Sequence, residues 1–161
     1  MSESAAVNFR ERFERLRRER QSVLCVGLDQ DARRIPAGYA SAGALSENPE
    51  DPERIYSFLS DVIRATAEHA VAFKPNLAFF ECLGPAGMQL FERVLKTIRD
   101  TDPEVLILAD AKRGDIGNTA ERYARSFFEY YDCDAITLSP YMGLDTLEPF
   151  LKDPARAAIA L

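Results

Sequence analysis

The sequence predicts an α/β protein of the (β/α)8 class, the TIM-barrel architecture, of which this chain carries an incomplete N-terminal part with about four to five strands. Three observations predict it. Apolar runs of strand length alternate strictly with helical patterns, which is the mark of a parallel sheet with crossover helices. Polar residues recur where successive runs end: Asp29, Lys74, Asp110 with Lys112, and Ser139. The turn at Gly27-Leu28-Asp29 lacks the GxGxxG of a doubly wound nucleotide-binding sheet. A doubly wound sheet gathers its ligand at one switch point, whereas a barrel draws on all its strand tips. A complete barrel takes about 250 residues, so the 161 residues here are expected to be the front part of a larger protein.

Residues 8–20 read as an amphipathic helix, with Phe9, Phe13 and Leu16 on one stripe and Asn8 placed to cap it. Segment 1–22 is expected to pack outside the barrel, and residues 23–161 to form the barrel's first half. Arg10, Arg12, Arg15, Arg17, Arg18 and Arg20 are interleaved with Glu11, Glu14 and Glu19 at helical spacings, so intrahelical pairs are expected to account for most of that cluster. The first strand is Val23-Leu24-Cys25-Val26-Gly27-Leu28, ending at Asp29; residues 30–49, rich in Gly, Pro, Ser and Ala, read as a loop.

Asp51-Pro52-Glu53 opens the next helix with a cap, a proline in the first turn and an acid that suits the dipole, and the pattern runs to about His69. Residues 70–73 form a second strand. Pro75 cannot donate to a ladder and disfavours helix for the residue before it, which keeps Lys74 extended at the strand end. A helix over about 86–99 turns Leu90, Val94, Leu95 and Ile98 inward, and a third strand spans 105–110. A helix over 119–130, a strand over 134–138, a short helix over 144–151 and a fifth strand from 157 complete the pattern.

Composition removes several function classes. Lys and Arg number 20 against 26 Asp and Glu, a net charge of −6 that disfavours nucleic acid or anionic membrane as a partner of the whole surface. Cys25, Cys82 and Cys133 are far apart and in no CxxC arrangement, which argues against a disulfide framework or zinc site and for a reducing, cytoplasmic setting. No apolar run approaches bilayer length, and the N-terminus does not read as a secretory signal. The single histidine, His69, near a helix end, suits a cap or surface role and excludes histidine triads.

The chemistry is expected in Val105 to Thr119, where an apolar run breaks into Asp110-Ala111-Lys112-Arg113-Gly114-Asp115. Alternation along an extended strand puts Asp110 and Lys112 on one side and Arg113 toward solvent, with no role assigned to Arg113. Gly114 and Gly117 suit turns or close backbone approach. Phe79, Phe80, Phe127, Phe128, Tyr130 and Tyr131 fall at packing spacings. Asp110, Lys112, Asp115 and Lys74 group at one mouth, either as a salt-bridged rim or as a site. A lysine among carboxylates is favoured as ammonium, so it is a poor base or Schiff-base nucleophile but suited to protonating a carbanion or holding an anion.

The run Leu108-Ala109-Asp110-Ala111-Lys112-Arg113-Gly114-Asp115-Ile116-Gly117-Asn118-Thr119 resembles the signature of the orotidine 5'-phosphate decarboxylase family, in its longer bacterial subgroup. Phe73-Lys74-Pro75-Asn76 with Phe79-Phe80-Glu81, and residues 137–150, match the same subgroup, and the resemblance spans about 23–161. It implies a homodimeric barrel enzyme that converts orotidine 5'-phosphate to UMP and CO2, in de novo pyrimidine biosynthesis, without metal or cofactor. By position, Lys112 would protonate C6 of the pyrimidine and Asp110 would lie beside the substrate carboxylate. Lys74 would hold the array and bind ribose. Asp115 would come from the other subunit, Asp29 would bind a ribose hydroxyl, and Thr119 would contact the ribose region across the dimer; Ile116 belongs with the substrate-binding residues. The family's phosphate-gripping arginine, its glycine-rich loop and its pyrimidine-reading segment are expected beyond Leu161, so residues 1–161 alone are expected to be inactive. The alternatives are a magnesium-dependent sugar-phosphate decarboxylase or aldolase of the same barrel group, against which Lys74 argues, and an inactive half-barrel assembly module.

Overall fold

The alternating runs become a single sheet in a computed structural model that describes residues 8–39 and 48–161. Residues 1–7 of the N-terminal segment and 40–47 of the expected loop lie outside the described residues. The strands are β1 (Leu24–Leu28), β2 (Ala70–Pro75), β3 (Leu106–Arg113), β4 (Ala135–Leu138) and β5 (Ala157–Ala160). All are parallel and pair in chain order, β1-β2-β3-β4-β5, so no switch point interrupts the sheet and it forms part of a barrel wall.

The helices begin where local chemistry places them. In α1 (Phe9–Arg20) the Asn8 side chain accepts from the Glu11 N–H at 2.9 Å and the Glu11 carboxylate accepts from the Asn8 N–H at 3.2 Å, a reciprocal capping box. Asp51 caps α2 (Pro52–Thr66) by accepting from the Glu53 N–H at 3.0 Å. The turn after Asn76 forms a short helix, α3 (Ala78–Glu81), and α4 (Gly84–Thr101) follows. Leu59 and Ile63 of α2 and Leu90, Val94 and Ile98 of α4 bury against Phe73, Ile107 and Ile136 of the sheet, making the main core. A separate cluster packs Phe9, Phe13 and Leu16 of α1 on Val71, Ala72, Leu106 and Leu108.

The arginines of α1 act differently from the expectation. Only Arg17 pairs within the helix, with Glu14 at 2.9 Å. Arg12 pairs with Asp134, Arg15 with Glu104, and Arg20 with Asp102 and the carbonyls of Ala67 and Ala70. These partners precede or open β2, β3 and β4, so α1 docks its arginines across the amino ends of the strands. Asp134 is the hub. At 1% exposure it accepts from Arg12 at 2.6 Å, Arg99 of α4 at 2.7 Å and the Ile107 N–H at 2.8 Å, with Arg156 at 3.8 Å.

Two expected helices also differ. The pattern over 119–130 is α5 (Gly117–Arg125) continued by a π-turn over Ser126–Tyr130. The segment 144–151 is not an α-helix but 3-10 turns over Leu144–Thr146 and Glu148–Phe150, preceded by another over Pro140–Met142. Gly143, at φ 116°, sits between the first two of these turns, and Pro149 lacks the N–H an α-helix would use there. The expected loop holds 3-10 turns over Ala32–Arg34 and Ala37–Tyr39, and it sends Ala32 and Ile35 into the core. Among the described residues no helix is long and apolar enough to cross a membrane.

Breaking a buried ion pair leaves its partners unbalanced and costs about 3–5 kcal/mol, whereas an exposed pair contributes about 0–1 kcal/mol. Denaturant unfolding of the whole protein should therefore show Asp134→Asn destabilised by about 3 kcal/mol and Arg17→Ala nearly unchanged. Equal small losses in both would refute the role of Asp134 as a hub.

Candidate active site

The carboxyl end of β3 brings the charges together. Asp110 follows Leu106 and Leu108 on one face of the strand, and its side chain is only 10% exposed. Its Oδ2 accepts from the Lys74 ammonium of β2 at 3.0 Å, and its Oδ1 from Lys112 at 2.5 Å and from the Thr137 hydroxyl of β4 at 2.9 Å. Beyond Lys74 lies Asp29, at the end of β1, with Nζ to Oδ2 at 3.8 Å. Gly27 pairs in register with Lys74, and a Cβ there would stand 3.3 Å from the Asp29 carboxylate.

Burial pushes the Asp110 carboxyl up, but hydrogen bonds from Lys112, Lys74 and Thr137, with the charge of Lys74, outweigh it and hold the group at about 2. Burial likewise pulls Lys74 down, and is overcome by its hydrogen bond to Asp110 and the charges of Asp29 and Asp110, so Lys74 titrates above its ordinary value. Asp110 and Lys74 are therefore an ionised pair at neutral pH.

Lys112 reaches Asp110 by a route that alternation does not describe. Ala109 pairs with Ile136 and Arg113 with Leu138, so β3 carries two extra residues across that interval and bulges. Lys112 stands in the left-handed region, at φ 48°, and its N–H donates to Thr137 Oγ1 at 3.0 Å. Asp110 and Lys112 do meet, but because the backbone folds back rather than because it stays extended.

The same bulge overturns the solvent-facing placement of Arg113. Its guanidinium turns inward, pairs with Glu81 of α3, and lies 5.4 Å from the Tyr123 ring centroid and 5.9 Å from that of Phe127.

Beyond the bulge the chain passes close to the tip of β4. A Cβ at Gly114 would fall 2.5 Å from the Ser139 carbonyl oxygen, and Gly117 has φ 40°, so both glycines are required by the backbone path. Asp115 does not join the array: its Oδ1 accepts from the Ile116 N–H at 2.8 Å, and among the described residues no ion pair links it to Lys74 or Lys112. Ile116, an exposed residue, stands at the N-cap position of α5 with no side-chain cap bond, and Thr119 lies in the first turn of that helix, its N–H donating to the Ile116 carbonyl at 3.0 Å. His69 is exposed beside Glu68, just before β2 and away from these tips.

The structure thus gathers Asp29, Lys74, Asp110 and Lys112 and leaves Asp115, Ile116 and Thr119 along the following loop and helix. Thr137 was missed by sequence reasoning. Its signal is a hydroxyl inside the buried run Ala135-Ile136-Thr137-Leu138, where a polar atom needs a partner.

Chemically, Lys112 is tethered by one carboxylate and remains 55% exposed, so its ammonium can meet a bound anion or a developing carbanion. No group of three His, Cys, Asp or Glu side chains that could hold a metal occurs among the described residues.

A parallel strand-and-helix wall whose charged groups converge at the strands' carboxyl ends is the (β/α)-barrel architecture. Residues 22–159 match the family described as Orotidine 5'-phosphate decarboxylase / HUMPS, and the chain belongs to that family. The orotidine 5'-phosphate decarboxylase of Parabacteroides distasonis is 49% identical over 155 residues, covering 96% of this chain and 52% of that protein. That of Porphyromonas gingivalis is 48% identical over 152 residues, covering 94% and 51%. Among solved structures, Leishmania donovani OMP decarboxylase superposes with a TM-score of 0.73 at 36% identity, over 92% of this chain and 52% of that one. Leishmania donovani UMP synthase gives 0.78 at 33% identity, over 96% and 30%. The chain spans about half the length of the curated relatives it matches.

Because the folded Asp110 carboxyl is depressed to about 2 from an ordinary 3.8, it contributes stability that is full above about pH 4 and is lost as pH falls through about 2. The shift corresponds to about 2 kcal/mol. Unfolding of the whole protein from pH 7 to pH 2 should show Asp110→Asn weaker than wild type by that amount at neutrality, with the gap closing toward pH 2. A gap independent of pH would contradict an ionised Asp110.

Proposed function

We propose that this chain supplies the first half of the active site of an orotidine 5'-phosphate decarboxylase, which converts orotidine 5'-phosphate to UMP and CO2 without metal or cofactor. The observation that carries this reading is the Lys74–Asp110–Lys112 array at the strand tips, with one ammonium left accessible. In the reaction the bond from C6 to the carboxylate breaks and CO2 leaves. The electron pair stays on C6 and takes a proton from Lys112 Nζ, and Lys112 then regains a proton from solvent. A carbanion in the plane of the ring is not delocalised by it, so a cation fixed at that carbon lowers the barrier directly.

Asp110 would stand beside the departing carboxylate. Two like charges about 4 Å apart repel by roughly 1 kcal/mol in water and more at lower dielectric, so it raises the ground state while Lys112 stabilises what forms. Lys74 holds Asp110 and, with Asp29, meets the ribose. The position of Asp115, Ile116 and Thr119, past the bulge and outside their own array, supports service to the partner's site in a homodimer. A net charge of −6 argues against nucleic acid or an anionic membrane surface as partner, and three cysteines in no CxxC arrangement support a reducing, cytoplasmic setting. Against the magnesium-dependent sugar-phosphate reading stands Lys74, whose ammonium lies between Asp29 and Asp110 and would repel a divalent cation there.

In the whole protein, Lys112→Ala should lower kcat for orotidine 5'-phosphate by about 10³-fold or more while still binding UMP. Near-wild-type turnover would overturn the assignment of Lys112, and loss of wild-type activity on EDTA treatment would favour the metal-dependent enzymes. Mixing Lys112→Ala with Asp115→Ala subunits should restore one intact site per heterodimer, seen as activity absent from either variant alone. No recovery on mixing would refute the shared site.

A further inference from the structure

We propose that Arg113 is a positioning residue: its side chain clamps the Ala111–Lys112 peptide and so fixes the left-handed backbone from which Lys112 aims its ammonium. The proposal rests on the reading of Lys112 as proton donor.

A left-handed conformation is disfavoured for any residue with a Cβ, so it persists only where its surroundings hold it. At Lys112 the holding is done on a single peptide plane. The carbonyl of Ala111 accepts from Arg113 Nη1 at 3.2 Å, and the N–H of Lys112, on the opposite edge of that plane, donates to Thr137 Oγ1 at 3.0 Å. Two residues on, the carbonyl of Arg113 accepts from the Ser139 N–H at 2.7 Å. Rotating the plane would change φ of Lys112 and swing its side chain away from Asp110. Thr137 prevents this from β4, and Arg113 from the other edge.

The clamp is itself anchored. The Nη2 arm of Arg113 is tied to Glu81, and the guanidinium lies against Tyr123 and Phe127. Its Nε, in contrast, is buried with no hydrogen-bond partner. An apolar side chain could fill the space beside those rings without burying an unpaired N–H, so packing alone does not explain an arginine. A lysine could meet Glu81 with its charge. What only the guanidinium supplies is two arms at a fixed angle, one for the carboxylate and one for the Ala111 carbonyl. A chain of contacts therefore runs from α3 and α5 through Arg113 to the ammonium that touches substrate.

The test uses the whole protein with Arg113→Ala and Arg113→Lys, the latter keeping a cation opposite Glu81 so that the local fold is maintained. Misplacing a catalytic group by about 1 Å costs on the order of 10²-fold. Both variants should therefore lose kcat by about that factor, with KM and UMP affinity nearly unchanged. Millimolar guanidinium chloride should restore part of the kcat of Arg113→Ala, a response that loss of general stability would not give. Wild-type kcat in Arg113→Lys, beside an inactive Lys112→Ala, would overturn this proposal alone. So would a loss in Arg113→Ala that falls equally on UMP binding and that guanidinium does not restore. Turnover retained by Lys112→Ala would overturn the reading of Lys112 and this proposal with it.

Discussion

A buried carboxylate at the tip of β3 is the constraint that the rest of the site answers. Asp110 loses most of its water, and an ion so placed is tolerated only when charges and hydrogen bonds replace what was lost. Its replacements come from three strands: Lys74 from β2, Lys112 from β3 itself, and the Thr137 hydroxyl from β4. Such convergence requires the strands to lie parallel, in chain order and in a fixed register, so that neighbouring tips end at the same level. The register that seats Phe73 among the helices also turns Lys74, the next residue, toward Asp110.

The opposite ends of the strands use similar chemistry to another purpose. Asp134, just before β4, is as buried as a core leucine and is closed in by Arg12, Arg99 and Arg156 together with a backbone N–H. Each of these arginines is itself mostly covered, so the cluster offers no charge to a ligand and serves to join α1, α4 and the sheet. At Asp110 one of the cations remains more than half exposed. Availability, rather than the presence of ion pairs, separates the end that can do chemistry from the end that confers stability.

What was legible in the sequence was local. Strand runs, the cap at Asn8, the Asp51-Pro52 helix start and the acid or lysine at the ends of the first three strands depend on neighbours a few residues away, and they stand where the pattern put them. What was not legible depends on a partner distant in the chain. The arginines of α1 could pair within the helix or with strand ends, and only docking decides. The inward turn of Arg113 and the left-handed Lys112 follow from how β3 pairs with β4, because a bulge resets the alternation on which sidedness was reckoned. The error on Arg113 and the partial success on Lys112 therefore have one cause.

That bulge also explains why a contiguous motif does not form a contiguous site. Up to Lys112 the side chains belong to the array beneath them. From Gly114 onward the backbone grazes the Ser139 carbonyl, turns again at Gly117, and carries Asp115, Ile116 and Thr119 along the rim. The Asp115 carboxylate is occupied locally by the Ile116 N–H, and Ile116 projects into solvent. A carboxylate needed beside Lys112 could have been placed on the strand, as Asp110 is; placing it past Gly114 leaves it off that array instead. The homodimeric reading gives that placement a physical reason, since a residue held off its own array at the rim is one that a neighbouring subunit can use.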